Sequence, residues 1–488
     1  MRIKNIILFF CLLIFVCCFL ITCRKDKGKL GNGYPEEISK IFVDKCASAG
    51  CHNSKSASAA AGINLETWDD MFKGGNGGAC CIPYSHEYST IFLYTNTDPV
   101  KGPMNEPVMP LNRPALSDAE MKTLTDWIDA GAPNSDGKIM WADNPNRKKF
   151  YVTNQGCDVV TVFDAATLLQ MRYVPIGIIN GGAAESPHMI KLSPDEKYWY
   201  VAFLGSSAFQ KFQTSDDSHV ADAIIGNGSW NTFAVSCDSK RAYVADWGAS
   251  GTIVPVTLST MTPLSSWFGI SSMPHGTSIS PGDTVYIACS TGNYISKVPV
   301  SDPTNQTDIS IDQPAPVFAG TNNFEPHDIA WSPDSSMYFV ACDSAKSVRV
   351  LRRSDDVQIA SIQTGLYPVE MSLSNNPNTP YLFVTCMYDP PTAQYPYRGS
   401  ISVINYNTLQ WITDIKGVNI AEPHGIGVDD ARGLVYVANR NLSGPLPHHS
   451  TSCSGRIGFM SFIDINTLTV LPKKIETAVD PYSVAVRH

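Results

Sequence analysis

Between Phe150 and the C-terminus, short apolar runs return at regular intervals, each set off by polar turn residues. They read Tyr151-Val152-Thr153-Asn154, Tyr200-Val201-Ala202-Phe203, Tyr243-Val244-Ala245-Asp246 and Tyr286-Ile287-Ala288-Cys289. Phe339-Val340-Ala341-Cys342, Phe383-Val384-Thr385-Cys386 and Tyr436-Val437-Ala438-Asn439 continue the series. Aromatic and β-branched residues bounded by turn residues predict strands. An apolar strand and a turn such as Ser193-Pro194-Asp195 or Ser332-Pro333-Asp334 precede most of them. A further strand ending in Asp164-Ala165-Ala166-Thr167-Leu168 or Asp464-Ile465-Asn466-Thr467-Leu468 follows several. The first strands of successive units start at Pro187, Trp230, Pro274, Pro326, Pro368, Pro423 and Pro481, at spacings of 43, 44, 52, 42, 55 and 58 residues. A period of roughly 40–50 residues with four short strands per unit predicts a β-propeller, here of seven blades. The first unit lacks an innermost strand, and Pro481–Val486 is an innermost strand with no unit after it. The C-terminus is therefore expected to complete blade one and remove the open sheet edges.

Ahead of the repeats the pattern is helical. Pro35, Glu36 and Glu37 open a segment in which Ile38, Ile41 and Phe42 share a face and which runs into Cys46. Ser117-Asp118-Ala119-Glu120 forms a capping box ahead of Met121, Leu124, Trp127 and Ile128, and Gly131 stops that helix. Residues 136–147 separate this segment from the repeats. At the very start, Arg2 and Lys4 precede 16 apolar residues from Ile6 to Ile21, and Cys23 follows. A positive start and a short apolar core describe a secretory signal, and the run is short of the roughly 20 residues a membrane span needs. The terminal cysteine resembles a bacterial lipobox, although Thr22 stands where a smaller residue is usual. The resemblance implies a signal peptide over 1–22, lipidation at Cys23, a tether over 23–33 and a place in the periplasm or cell envelope.

A chain of 488 residues exceeds one ordinary core, and 35 glycines with 33 prolines suit a turn-rich, mostly β body. The formal charge of -9 argues against a nucleic-acid partner, which requires a basic face. Of 14 cysteines, ten lie beyond Cys23 in a compartment that permits disulfides or metal ligation.

Two of those ten carry the most specific signal. Residues 46–52 read Cys-Ala-Ser-Ala-Gly-Cys-His, and Pro107-Val108-Met109-Pro110-Leu111 lies between the two helices. Over residues 34–135 this order resembles small bacterial c-type cytochrome domains. They have an opening helix into a Cys–Cys–His motif, a Met-Pro loop and a closing helix of the form LSDAEMKTLTDWIDAGA. The resemblance implies one covalent haem c, with Cys46 and Cys51 as thioethers, His52 as proximal iron ligand and Met109 as distal ligand. Four residues separate the thiols where two are usual, so a Cys46–Cys51 disulfide beside an idle His52 is the competing reading. Met104 and His86 are the other candidates for the distal position. Residues 148–488 resemble the YVTN/YncE-like seven-bladed family, whose fold is specific and whose activity is not.

Aligned on the first strands, the blades carry His188, Asn231, His275, His327, Val369, His424 and Tyr482 at the next position. Those four histidines, with Cys289, Cys342 and Cys386 at the ends of the second strands, fall at one mouth of the channel. Imidazole and thiolate suit copper, zinc or haem iron. Alternatively each Pro-His caps its blade by bonding a neighbouring backbone, and the thiols merely pack. Cys157, Cys237 and Cys453 take no role, and the insertion from Leu442 to Ser454 is expected either to cover the histidine face or to move freely.

The chain is thus expected to be multidomain: a small all-α cytochrome c-like domain, then an all-β propeller, with the two separable. The leading function is electron transfer by an exported haem protein, with the propeller docking a partner protein or binding a substrate. Two alternatives stand beside it. One is a redox enzyme with a second metal or haem at the channel mouth, resembling cytochrome cd1 nitrite reductase, whose propeller has eight blades. The other is a non-redox binding propeller. No nucleophile–base pair is readable.

Overall fold

The computed structural model describes residues 31–488 apart from 180–181, 249, 313–314 and 317–323. The signal peptide and Cys23 lie outside the described residues. Twenty-eight strands form seven four-stranded antiparallel sheets. The innermost strands start at Pro187, Trp230, Pro274, Pro326, Pro368, Pro423 and Pro481, the positions the repeat predicts. Blade one takes its inner strand from the C-terminus: Pro481–Val486 pairs with Lys149–Asn154, placing Val486 opposite Phe150 and Val484 opposite Val152. Two-ended closure leaves neither terminal strand of the ring unpaired, which removes an edge that would otherwise template aggregation.

The repeated residues have repeated work. Tyr151, Tyr200, Tyr243, Tyr286 and Tyr436 are fully buried on second strands, where each ring packs against a neighbouring aromatic, as Tyr436 does by stacking on Phe150 at 4.2 Å. The Ser-x-Asp turns close on themselves: the Ser193 hydroxyl donates to Asp195 at 2.6 Å, and Ser332 to Asp334 at 2.6 Å. Ser186, Met273, Glu325, Tyr367, Glu422 and Asp480 stand immediately before the prolines of six inner strands and all adopt positive φ. A left-handed residue before a proline reverses the chain sharply, so each inner strand enters the channel wall at the same angle.

Ahead of the propeller, among the described residues, are four short α-helices: α1 (Glu36–Ile41), continued by a π-helical turn Phe42–Cys46; α2 (Trp68–Met71); α3 (Thr90–Thr95); and α4 (Asp118–Asp129). The expected capping box starts α4: the Ser117 side chain accepts from the Glu120 N–H, and the Glu120 side chain accepts from the Ser117 N–H. Loop predominates elsewhere in this segment, so it is less helical than its expected class. It is also not a separate body. Its buried residues, among them Phe42, Trp68, Phe92, Leu124 and Trp127, form one continuous core with Cys157, Leu169, Met171 and Tyr173 of blade one and Ile457, Ala478 and Val479 of blade seven. The expectation of two separable domains is corrected here. A segment of about a hundred residues in irregular loops buries too little of its own surface, and the outer face of blades one and seven supplies the remainder.

Candidate functional site

α1 packs on α4, and Lys45 in its last turn reaches Glu120 at 2.6 Å. That ion-paired hydrogen bond pushes the Glu120 carboxyl down to about 2. It also fixes where the chain leaves the helix, at Cys46. The next six residues form a tight loop: the His52 N–H donates to the Cys46 carbonyl at 3.0 Å and the Cys51 N–H to the Ser48 carbonyl at 3.0 Å. Gly50 adopts φ +81° there and a side chain on it would meet open space, so the position asks for glycine by backbone conformation and not by crowding.

This loop opens on a cavity of 410 Å³. Cys46, Cys51, His52 and Met109 all line it, together with an apolar wall that includes Ile63, Leu65, Ile91 and Leu111. Cavities of about 300–1,000 Å³ with apolar walls and few polar groups are the usual form of a cofactor site. Of the three candidates for the distal position, Met109 alone faces this space. His86 is engaged by Asp129 at 2.8 Å, and the Met104 side chain is exposed. Met121 is buried in the core. Both motif thiols are free, so the competing Cys46–Cys51 disulfide does not form. Burial pushes the Cys46 thiol up to about 12.

The His52 ring is held by its Nδ1, which lies 3.3 Å from the Ile63 carbonyl. A carbonyl can only accept, so the Nδ1 contact places a proton on that nitrogen, and the Ala60 carbonyl is a second acceptor beside the ring. Burial lowers the His52 pKa from its ordinary value, which keeps the ring neutral. A third thiol, Cys80, lines the same cavity. It is fully buried and donates to the Met71 carbonyl at 3.1 Å. Its position beside Cys81 in the sequence carries no sign of this placement. The fit to a porphyrin is therefore favourable on donor chemistry: two free thiols, one oriented imidazole and one thioether around an apolar space.

The four propeller histidines also come together. Their rings and Tyr482 form a closed circuit around the channel, with centroid separations of 5.6 Å for His188–His275, 3.6 Å for His275–His327 and 6.0 Å for His327–His424. Tyr482 closes it, 3.7 Å from His424 and 4.1 Å from His188. The capping alternative describes two of them. His275 Nδ1 bonds the His327 carbonyl at 3.2 Å, and His424 Nδ1 bonds the Tyr482 carbonyl at 3.1 Å, each in the next blade. Asn231 does the same through its amide to the Pro274 carbonyl at 2.8 Å. Among the described residues no three His, Cys, Asp or Glu side chains converge as a metal would require. Cys289, Cys342 and Cys386 are buried, and their nearest polar contacts are carbonyls and hydroxyls. Of the acidic residues near the histidines, Glu185 accepts from the Ile178 and Ile179 N–H groups and Glu422 pairs with Arg398, while Glu370 Oε1 lies 3.6 Å from His424 Nδ1.

Sequence reasoning missed one covalent feature. Cys157 in blade one and Cys453 in the blade-seven insertion form a disulfide across the closure seam. Both were visible as thiols outside the repeated positions in a chain expected to be exported. Their separation of 296 residues hides the pairing until the ring closes. The insertion lies against the helical segment through His448, Ser450 and Ser452, while Ser443 at its start bonds Glu422, two residues before His424.

No protein-family model matches the chain, and no curated protein does. Among solved structures it is similar to a functionally unknown protein from Desulfotomaculum acetoxidans, at 13% identity and TM-score 0.53, covering 70% of this chain and 99% of that one. It is also similar to hydrazine synthase of Kuenenia stuttgartiensis, at 14% identity and TM-score 0.47, covering 63% of this chain and 93% of that one. A third is the dihydro-heme d1 dehydrogenase NirN in complex with DHE, at 13% identity and TM-score 0.46, covering 91% of this chain and 97% of that one. At such identities the likeness is one of fold.

Proposed function

We propose that this chain is an exported c-type haem protein that transfers single electrons, anchored through a lipid on Cys23. The propeller is the platform that docks its redox partner or binds a substrate. One observation carries the reading: the Cys46–His52 loop and Met109, remote from it in sequence, line a single apolar cavity. Of the three candidates for the distal position, neither Met104 nor His86 lines it.

A haem held there would supply reversible one-electron chemistry at its iron. The chain's own contribution is positional. Cys46 and Cys51 offer thiols for thioether attachment, on a loop whose small residues 47–50 leave room for a ring. The Ile63 carbonyl holds the His52 ring through Nδ1, which would leave Nε2 as the nitrogen to ligate the iron, an outer-shell arrangement that orients an imidazole. Met109 offers a soft sulfur, a ligand type that raises the reduction potential. The apolar wall excludes water, and Arg113, which also lines the cavity, suits a carboxylate group on the cofactor edge.

The test is expression in a host with a working haem-attachment system, followed by mass measurement under denaturing conditions. The intact chain is expected to carry the mass of one haem, and Cys46→Ser with Cys51→Ser to carry none. A colourless chain of bare polypeptide mass ends this reading.

A further inference from the structure

The loop that bears Met109 is held from outside the helical segment. Asn105 is nearly buried and grips the blade-seven insertion with both ends of its amide. Its Nδ2 donates to the His448 carbonyl at 3.0 Å, and its Oδ1 accepts from the Ser450 N–H at 3.0 Å. The Ser450 hydroxyl lies 2.9 Å from the same Oδ1 and 3.0 Å from the Met104 carbonyl. Tyr94, a cavity-lining residue, donates its hydroxyl to the His448 carbonyl at 3.1 Å. Within the helical segment two backbone bonds tie this loop to α3, Asn105 N–H to the Leu93 carbonyl at 2.8 Å and Met109 N–H to the Tyr94 carbonyl at 2.7 Å, and Asn96 Nδ2 holds the preceding Gly102 and Pro103 carbonyls.

The insertion is in turn anchored to the propeller. Glu476 accepts from the His448 N–H through both oxygens, at 2.9 and 2.8 Å, and the disulfide ties Cys453 to blade one. The connection therefore runs from the closure seam through residues 448–453 to Asn105, four residues before Met109.

We propose that the blade-seven insertion braces the cofactor site from behind, and that Asn105, clasped by His448 and Ser450, is the residue through which the propeller positions Met109. This rests on the haem reading above for its consequence, though not for its contacts. Displacing the insertion, as a bound partner would, shifts the sulfur relative to the iron and so changes the potential. The propeller thereby acts on the redox centre without supplying a ligand.

The experiment uses the full chain matured in a haem-attaching host, as wild type, Asn105→Ala, Ser450→Ala, and Cys157→Ser with Cys453→Ser. Amide hydrogen exchange at Asn105 and Met109 is read against α4 as an internal reference, and the midpoint potential is read on the same samples. Exchange at those two amides is expected to rise about tenfold or more in each variant, with α4 unchanged, and the potential to fall. Asn105→Asp keeps the acceptor for Ser450 and is expected to lie between wild type and Asn105→Ala, a graded response that general unfolding would not give. Unchanged exchange at both amides in Asn105→Ala and Ser450→Ala overturns the proposal even where haem is present. Raised exchange with an unaltered potential also overturns it, since Met109 would then not be positioned by this contact. A wild-type chain without haem ends the functional reading instead, and the exchange result still decides whether the insertion holds the loop.

Discussion

At the scale of single residues, burial has decided the protonation of the channel. Burial and mutual proximity push His188, His327 and His424 well below the ordinary imidazole range, and burial lowers His275 to about 4. Their folded values lie below the unfolded value of about 6.5. The unfolded chain therefore binds more protons between those limits, and folding stability falls as pH falls through that window. All of it is present above pH 6.5. His275 alone accounts for about 3 kcal/mol lost by pH 4. Urea denaturation at pH 7.5 and pH 5.0 checks this: the midpoint is expected to drop at pH 5.0, and His275→Asn to narrow the difference without removing it, since His188, His327 and His424 remain. Equal midpoints for the intact chain would mean that the imidazoles are not held neutral by the fold.

At the scale of elements, the closing strand has the largest single consequence. Pro481–Val486 covers the inner edge of Lys149–Asn154. Its Tyr482 carbonyl and ring also complete the histidine circuit. Deleting residues 481–488 is expected to leave an exposed apolar edge and a propeller that aggregates instead of unfolding cooperatively. Light scattering during thermal unfolding would show it, and a truncated chain that melts reversibly near the full-length temperature would refute it. Strand starts, turn chemistry and this closure were all legible in the repeat, because each blade must bury the same faces in the same order. The capping box of α4 was legible too, since its two reciprocal bonds depend on residues three apart.

Across the whole molecule, the shared core governs. Residues 31–147 expressed alone are expected to show no cooperative thermal transition by circular dichroism, because their apolar faces are completed by blades one and seven. Gln170 makes the same point with polar contacts: its Oε1 accepts from the Ala79 N–H at 2.9 Å and its Nε2 donates to the Glu476 carbonyl at 2.8 Å, bridging the helical segment, blade one and blade seven. A sharp transition in the isolated segment would contradict this reading.

By itself the sequence determined the seven blades, the closure at the C-terminus and the identities of the four cavity residues. Those depend on local periodicity or on residue type, which a single chain displays directly. Tertiary structure alone decided that the helical segment is fused to the propeller, that Cys157 meets Cys453, and that the insertion lies on the Met109 loop. These pairings join positions hundreds of residues apart. Nothing along the chain brings them near until the ring closes and the apolar surface left over at its seam has to be covered.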